Sequence, residues 1–139
     1  MLPLDEEPII ARCTPSGPGA IALLRLSGTG VRACIARFTK LASGKSILDI
    51  PSHTIHYATL FSDDNTPIDA VMVIVMDAPR TFTGQDVVEI TCHNNPFIID
   101  AIIAQALKHG VRLAQEGEFT KRAFLNEKID LLQAEAIAE

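Results

Sequence analysis

The sequence predicts an α+β fold in two layers, with a largely antiparallel or mixed sheet covered by two helices. Short apolar runs between Gly- and Pro-rich turns are typical of strands, and two segments have the 3.6-residue apolar spacing of helices. The predicted order, β-β-α-β-β-β-α-β, lacks the regular alternation of a parallel α/β fold. Hydrophobic residues make up 47% of the chain and charged residues 21%, which is typical of a folded domain.

Four strands and one helix are predicted in the first half of the chain. The strands are apolar runs bounded by turn residues, at 8–14, 20–27, 53–61 and 68–76. The Pro and Gly residues of PSGPG separate the first two strands, and SDDNTP joins the last two as a hairpin. Between these pairs, Ser27 or Thr29 caps a helix over residues 30–41, whose apolar residues recur at helical spacing.

The second half begins with a short strand at 86–92. Asn95 is a favourable N-cap, and Pro96 suits the first helical turn because its missing N–H costs nothing there. The helix is predicted to reach about His109, since Gly110 is a typical C-terminal stop. Residues 111–114 predict a final short strand.

From residue 119 the sequence becomes charged and helix-forming. Asp130 is a good N-cap, Gln133 occupies the capping-box position, and helix formers continue to Glu139. Because no Gly, Asn or Pro stops this helix, we expect the chain to be part of a longer protein.

Composition excludes several classes of protein. The 139 residues include 12 Lys and Arg against 17 Asp and Glu, a net charge of -5, whereas nucleic-acid modules depend on an excess of cations. No apolar run approaches the roughly 18–20 residues that span a bilayer, and the acidic start lacks the basic region of a signal peptide. Three widely spaced cysteines, with no CxxC, indicate a reducing compartment. We therefore expect a cytoplasmic protein with no membrane association, and a length of one domain with the beginning of another.

Two glycine motifs resemble nucleotide-binding sequences. Residues 28–33 match G-x-G-x-x-A between a strand and a helix, but Arg25 interrupts that strand, and the hairpin that follows breaks the βαβ order. A dinucleotide-binding domain is therefore kept as a weaker alternative. Gly44-Lys45-Ser46 has the ending of a P-loop, yet Thr39 stands where its first Gly is required. We expect a surface loop there.

Catalytic and metal-binding patterns are absent from the sequence. Cys92 and His93 are adjacent, but neither they nor the other histidines have the spacing of a metal site. No arrangement of a nucleophile with a base can be identified. The sequence therefore predicts neither a metal nor a catalytic residue.

Arg25, Glu89 and Lys128 are the candidate binding residues. Arg25 and Glu89 each lie inside an apolar strand, where an unpaired buried charge costs several kcal/mol, roughly. Two interpretations remain open: a cross-strand ion pair or a ligand site. Taken alone, Lys128 is interpreted as a lysine exposed to solvent.

Three motifs carry a resemblance to a known family. They are PSGPGAIALLRLSG, PRTFTGQDVVEITCHNNP and, above all, EGEFTKRAFLNEKIDLLQAEAIAE. In this order they resemble the N-terminal region of the MnmE (TrmE) family of GTPases, which modify the wobble uridine of certain tRNAs. The likeness extends over essentially the whole chain, although residues 31–66 match only in length and pattern.

The resemblance implies a tetrahydrofolate-binding domain similar to that of the aminomethyltransferases. Residues 1–118 would form this domain and dimerise, so that two copies build the folate pockets, and 119–139 would begin a helical domain. The family's folate contacts match Arg25, Glu89 and Lys128, with the residues of TFTG and HNNP as pocket walls. The ligand implied is a formyl- or methylene-tetrahydrofolate that supplies a carbon to C5 of the uridine.

The resemblance also implies partners that this chain would meet only as part of a longer protein. These are GTP, Mg2+ and K+ at a G domain, the FAD-dependent protein MnmG (GidA), and tRNA. The chain by itself is expected to bind folate without turnover. A structural dimerisation module that has lost folate binding is the alternative.

The chain departs from the family pattern at the expected pocket. Pro18 stands where the family usually has Arg, Asn94 and Asn95 stand where it usually has two glycines, and Gln85 replaces a usual acid. The loss of a cation and the added side chains affect the expected folate affinity. If a glycine there required a positive φ, Asn would be the least costly replacement.

Overall fold

The computed structural model describes residues 2–137. Within them a short 3-10 turn, Leu4–Glu6, precedes seven strands and four α-helices. The strands are β1 (Ile9–Arg12), β2 (Ile21–Ser27), β3 (Thr39–Leu41), β4 (Thr54–Phe61), β5 (Pro67–Met76), β6 (Val87–His93) and β7 (Arg112–Leu113). The helices are α1 (Val31–Ala36), α2 (Pro96–Lys108), α3 (Glu118–Leu125) and α4 (Leu131–Ala136).

All seven strands belong to one sheet, in the order β3-β4-β5-β6-β2-β1-β7. Neighbouring strands are antiparallel except β1 and β7, which are parallel. The structure therefore confirms the α+β class and the mostly antiparallel sheet. It also places β2 between the antiparallel strands β1 and β6, unlike the parallel first strand of a dinucleotide-binding fold.

One face of the sheet packs against α1 and α2. Alternate residues of the central strands point to this face, and all are buried. They form a continuous apolar core with residues of both helices: Ala22, Leu24, Leu26, Val31, Ile35, Ala58, Val73, Val75, Val88, Ile90, Ile99 and Ile102. This core fixes the register of β2 and β6, because a slip by one residue would turn every apolar side chain outward.

The other face is covered only in part. Helix α3 lies over it at β2, where the Phe119 ring is 5.8 Å from the Arg25 guanidinium carbon. The sequence predicted helix-forming residues from 119 onward, and the structure packs the resulting helix on the side of the sheet opposite α1 and α2. Four large apolar side chains of this face remain exposed by 37–60%, and we call them the open face: Ile21, Ile55, Tyr57 and Met72.

The predicted helix over 30–41 is wrong in its second half. Helix α1 ends at Ala36, and residues 39–41 instead form the edge strand β3, paired with β4. Helical spacing continued through this segment, but cross-strand hydrogen bonds with β4 outweigh a weak local preference. The predicted caps also fail, because α1 begins after Gly30 with no side-chain cap.

Both helix N-caps predicted in the second half of the chain are confirmed. Asn95 caps α2 by accepting hydrogen bonds from the amides of Phe97 and Ile98. Asp130 and Gln133 form the predicted capping box of α4. That helix ends at Ala136 rather than Glu139, and residues 138–139 lie outside the described range.

No helix in the described part of the chain is long and apolar enough to cross a bilayer. The longest, α2, has 13 residues, whereas a span needs about 20.

Candidate functional site

Arg25 and Glu89 are direct cross-strand neighbours in β2 and β6. The Arg25 Nε donates to Glu89 Oε2 at 2.8 Å, with the side chains 25% and 16% exposed. Both point away from the core, because Leu24, Leu26, Val88 and Ile90 occupy the alternate positions. The ion pair considered from the sequence is therefore present.

Two aromatic rings flank the Arg25 guanidinium. Its carbon lies 5.7 Å from the centroid of Phe82 and 5.8 Å from that of Phe119, within the range of cation–π attraction. A cavity of about 480 Å³ opens beside Arg25, between the end of β1 and the segment that leads into α3. A volume of this size accommodates a small organic ligand.

The ion pair leaves part of its hydrogen-bonding capacity unused. Only Arg25 Nε and Glu89 Oε2 form hydrogen bonds between the two side chains. Among residues 2–137, the Arg25 terminal nitrogens and Glu89 Oε1 have no hydrogen-bonding partner. A guanidinium has five N–H donors and a carboxylate two acceptor oxygens, so this half-buried pair can still bind a polar ligand.

Residues 81–85 form a loop, called here the 81–85 loop, which brings Phe82 to Arg25. Thr83 is fully buried, and its hydroxyl is 2.8 Å from that of Ser27. The Thr81 hydroxyl donates to the Gln85 carbonyl and closes the loop. Gly84 adopts φ +80°, in the left-handed region that favours glycine. Phe82 thus extends from a loop that is anchored by hydrogen bonds and by a buried neighbour.

Lys128 does not contact Arg25 or Glu89. It follows the C-terminal turn of α3, where its amide donates to the Ala123 carbonyl at 2.8 Å. Its side chain passes Gly84, and a Cβ added there would lie 3.3 Å from Lys128 Cε. The structure therefore brings two of the predicted residues together and places the third beside the same loop.

A buried cluster of charges anchors α3 to the first strands. Arg122 is fully buried and donates to the carbonyls of Leu4, Glu7 and Ser27. Glu118 accepts from both Arg112 and Arg122. Hydrogen bonding to Arg112 is the largest cause that lowers the pKa of Glu118, to about 2, while burial lowers the pKa of Arg122.

Gln85 belongs to the same cluster. Its side-chain oxygen accepts from Arg122 Nη1 and from the Ser27 hydroxyl, both at 3.0 Å. An amide oxygen, rather than a carboxylate, thus accepts both bonds.

The two asparagines of the HNNP turn have structural tasks. Asn94 Nδ2 donates to the carbonyls of Gly17 and Gly19, and Asn94 Oδ1 accepts from Arg12. Asn95 caps α2 with φ -131°. Neither asparagine has a positive φ, so this turn does not require glycine conformations. Asn94 also closes the loop that contains Pro18.

Sequence reasoning missed three residues around the site: Phe119, Arg122 and Asn126. A signal was available for the first two, because Phe119, Arg122 and Ala123 follow the i, i+3, i+4 spacing of a buried helix face. Asn126 gave no such signal, since its contact with the Thr83 carbonyl joins residues 43 positions apart.

No metal site is evident among the described residues. No group of three or more His, Cys, Asp or Glu side chains in residues 2–137 could hold an ion. His93 is instead paired with Asp69 at 2.8 Å. Burial, with a further contribution from Asp69, raises the pKa of the Cys92 thiol to about 11, so this thiol stays protonated near neutral pH.

Gly28 and Gly30 have structural roles at the crossing before α1. A Cβ at Gly28 would lie 2.6 Å from the Glu7 carbonyl oxygen and from Pro8 Cα, so only glycine fits this crossing. Gly30 adopts φ +77° immediately before α1.

Comparison with known proteins gives the family. The family described as "GTP-binding protein TrmE N-terminus" matches residues 8–128. The chain belongs to the TrmE N-terminal family. The resemblance identified from the sequence motifs is thereby confirmed.

Curated relatives of this TrmE N-terminal domain are named tRNA modification GTPase MnmE. The protein of Geobacillus kaustophilus is 48% identical over 136 residues, which is 97% of the chain and 29% of that relative. The Bacillus anthracis protein is 44% identical over 98% of the chain, and the Chlorobaculum tepidum protein 44% over 99%, each with 29% of the relative covered. The chain thus spans less than a third of the length of these relatives.

Proposed function

We propose that this chain is the one-carbon-tetrahydrofolate-binding and dimerisation module of a GTPase that modifies C5 of the wobble uridine of tRNA. The Arg25–Glu89 pair carries the proposal, because it is half-buried, flanked by two aromatic rings and only partly satisfied in hydrogen bonding. A purely structural role would not explain why donors and acceptors of this ion pair stay unpaired beside a cavity.

Glu89 suits the pterin ring of a folate. The pterin edge presents a ring N–H and an exocyclic amine side by side, and one carboxylate can accept both hydrogen bonds. Glu89 Oε1 is available for this role, and Oε2 can accept a further bond beside its contact with Arg25. The Phe82 and Phe119 rings supply apolar surface at the same place.

Arg25 and Lys128 supply the cations of the site. The pterin carbonyl and the glutamate tail both accept hydrogen bonds or carry negative charge, and a cation suits either group. The bound folate would provide the one-carbon unit, while the residues of this chain bind and orient it. The chain alone would bind without turnover.

The open face supports the dimerisation part of the proposal. Ile21, Ile55, Tyr57 and Met72 expose apolar surface on the same side of the sheet as Arg25 and Glu89. Exposed apolar patches of this kind are typical of interfaces between proteins. A second copy packed here would also enclose the site, in keeping with a pocket built from two chains.

The activity of the longer protein forms part of the same proposal. GTP, Mg2+ and K+ would act at a G domain outside this chain, in concert with the FAD-dependent protein MnmG and tRNA. The family membership and the name of the curated relatives support this assignment. The net charge of -5 suggests that tRNA contacts lie elsewhere in the longer protein.

Calorimetric titration of the chain with 5-formyl-tetrahydrofolate tests folate binding. We expect saturable binding by the wild type and loss of measurable binding in Glu89→Gln, which keeps the shape of the side chain but removes its charge. Asp100→Asn, an exposed substitution on α2, is the matched control and should bind as the wild type does. Absence of heat with the wild type would contradict folate binding.

A structural dimerisation module that has lost folate binding is the second candidate. The 2.8 Å Arg25–Glu89 contact and the loss of a cation at Pro18 favour it. In this case Glu89→Ala lowers the melting temperature, and folate does not raise that of the wild type. A folate-dependent rise would eliminate this candidate.

A further inference from the structure

Asn126 connects the 81–85 loop, which carries Phe82, to the end of α3, which precedes Lys128. As the residue that ends α3, it donates from Nδ2 to the Thr83 carbonyl at 3.0 Å and to the Arg122 carbonyl at 2.9 Å. One amide group therefore joins the 81–85 loop to the C-terminal turn of α3. These two segments are 43 residues apart in sequence.

Both ends of this bridge lie at buried, hydrogen-bonded residues. Thr83 is fully buried and bonded to Ser27 in β2. Arg122 is also fully buried and bonded to backbone carbonyls near β1 and β2. The bridge thus connects two fixed points, and the turn that follows Asn126 takes its position from them.

Lys128 depends on this turn. Its side chain is exposed, and within residues 2–137 it has no hydrogen bond or ion pair. Its backbone is held by the bond from its amide to Ala123 and by Glu127, which adopts φ +61°. Because the lysine side chain is flexible, the region that its ammonium can reach depends on where the backbone is held.

The 81–85 loop lies between Lys128 and the ion pair. Phe82 faces Arg25, while Gly84 faces Asn126 and Lys128. A Cβ at Gly84 would lie 2.8 Å from Asn126 Cβ, a distance that real contacts essentially never reach. The absence of a side chain at Gly84 permits this close approach.

We infer that Asn126 is a positioning residue of the folate site, which holds the turn that carries Lys128 against the 81–85 loop, the loop that brings Phe82 to Arg25. The inference rests on the proposed function for the ligand, whereas the bridge itself is independent of it. Asn126 acts through Lys128 and does not touch the ligand.

A double-mutant cycle tests this role, with 5-formyl-tetrahydrofolate binding to the 139-residue chain measured by calorimetry. Asn126→Ala and Lys128→Ala should each weaken binding at least tenfold, and the double variant should bind no worse than Lys128→Ala, because both remove the same contact. Gln105→Ala is the matched control, since it removes an amide side-chain hydrogen bond, to Asp63, near the C-terminus of α2. It should lower the melting temperature without changing the dissociation constant.

Additive losses in the double variant, or unchanged binding by Asn126→Ala, would overturn the inference while leaving folate binding intact. If the wild type does not bind folate, the proposed function fails, and hydrogen exchange without ligand then tests the bridge. The Gly84 and Lys128 amides should exchange at least tenfold faster in Asn126→Ala than in the wild type. Unchanged exchange there would refute the bridge as well.

Discussion

Arg25 and Glu89 point away from the apolar core, toward the face of the sheet that α3 covers in part. Their mutual contact reduces the cost of burial, but the remaining donors and acceptors keep the pair suited to a polar ligand. The nearby rings of Phe82 and Phe119 add apolar surface without satisfying those groups. The same two residues can therefore form an ion pair and still bind a polar ligand.

Glu118 predicts a pH dependence of stability. Its pKa in the folded protein is about 2, below its ordinary value of 4.5, mainly because it accepts hydrogen bonds from Arg112. A lowered pKa contributes stability that is fully present above the unfolded pKa and is lost as the pH falls through the folded one. We expect the free energy of unfolding to drop by about 3 kcal/mol between pH 5 and pH 2 from this group.

Urea denaturation at a series of pH values measures this loss. Glu118→Gln should be less stable at pH 7 and should show a smaller decrease between pH 5 and pH 2. An unchanged pH profile in this variant would contradict the assignment.

At the scale of the element, Arg122 is a fully buried anchor of α3. Its guanidinium binds three backbone carbonyls and two side chains, so its removal leaves Glu118 and these carbonyls with fewer partners. We expect Arg122→Leu to lower the free energy of unfolding by about 3–5 kcal/mol, as in other buried ion pairs that lose one partner.

The control for this prediction is the neighbouring Lys121, whose exposed side chain forms a 3.5 Å surface pair with Asp5. Lys121→Leu should change stability by less than about 0.5 kcal/mol. Similar losses in the two variants, by chemical denaturation, would refute the special role of Arg122.

The turn after α3 stores backbone strain at Glu127. Its φ of +61° is costly for a residue with a Cβ, but not for glycine. Glycine relieves this strain, but it also makes the unfolded chain more flexible, which offsets part of the gain. We expect Glu127→Gly to raise the free energy of unfolding by about 0.5–1 kcal/mol in total. Glu127→Ala keeps the strain and should leave stability close to that of the wild type, so an equal gain in both variants would exclude this cause.

At the scale of the whole molecule, the two sides of the sheet differ in their cover. Helices α1 and α2 bury one side, whereas α3 covers only a part of the other, next to the open face. Residues of α3 are buried against the first strands, although the domain boundary between residues 118 and 119 stays a prediction.

Dimerisation through the open face is testable by charge insertion. Ile55→Asp combined with Tyr57→Asp should convert a dimer to a monomer in sedimentation velocity, because both side chains are more than half exposed on that face. Phe97→Asp, at an 84% exposed position on α2, is the control and should leave the dimer intact. A monomeric wild type at high concentration would contradict dimerisation by this chain.

Local sequence patterns predicted much of the fold. Strand alternation predicted which neighbours share a face of the sheet with Arg25 in β2 and with Glu89 in β6. Asn95 and Pro96 predicted the start of α2. These predictions succeeded because strand alternation and helix capping involve residues within four positions of each other. The β3 edge strand escaped prediction because only its pairing with β4 distinguishes it from a continued helix.

The sequence by itself determined the α+β class, the family and the two charged residues that meet across the strands. Only the tertiary structure decided that Arg25 lies near two aromatic rings, that Arg122 is buried, and that Asn126 links the end of α3 to the 81–85 loop. The physical reason is sequence separation. Hydrogen bonds between residues about 40 positions apart, or more, exist only once the sheet has brought their segments together, and no local preference encodes them.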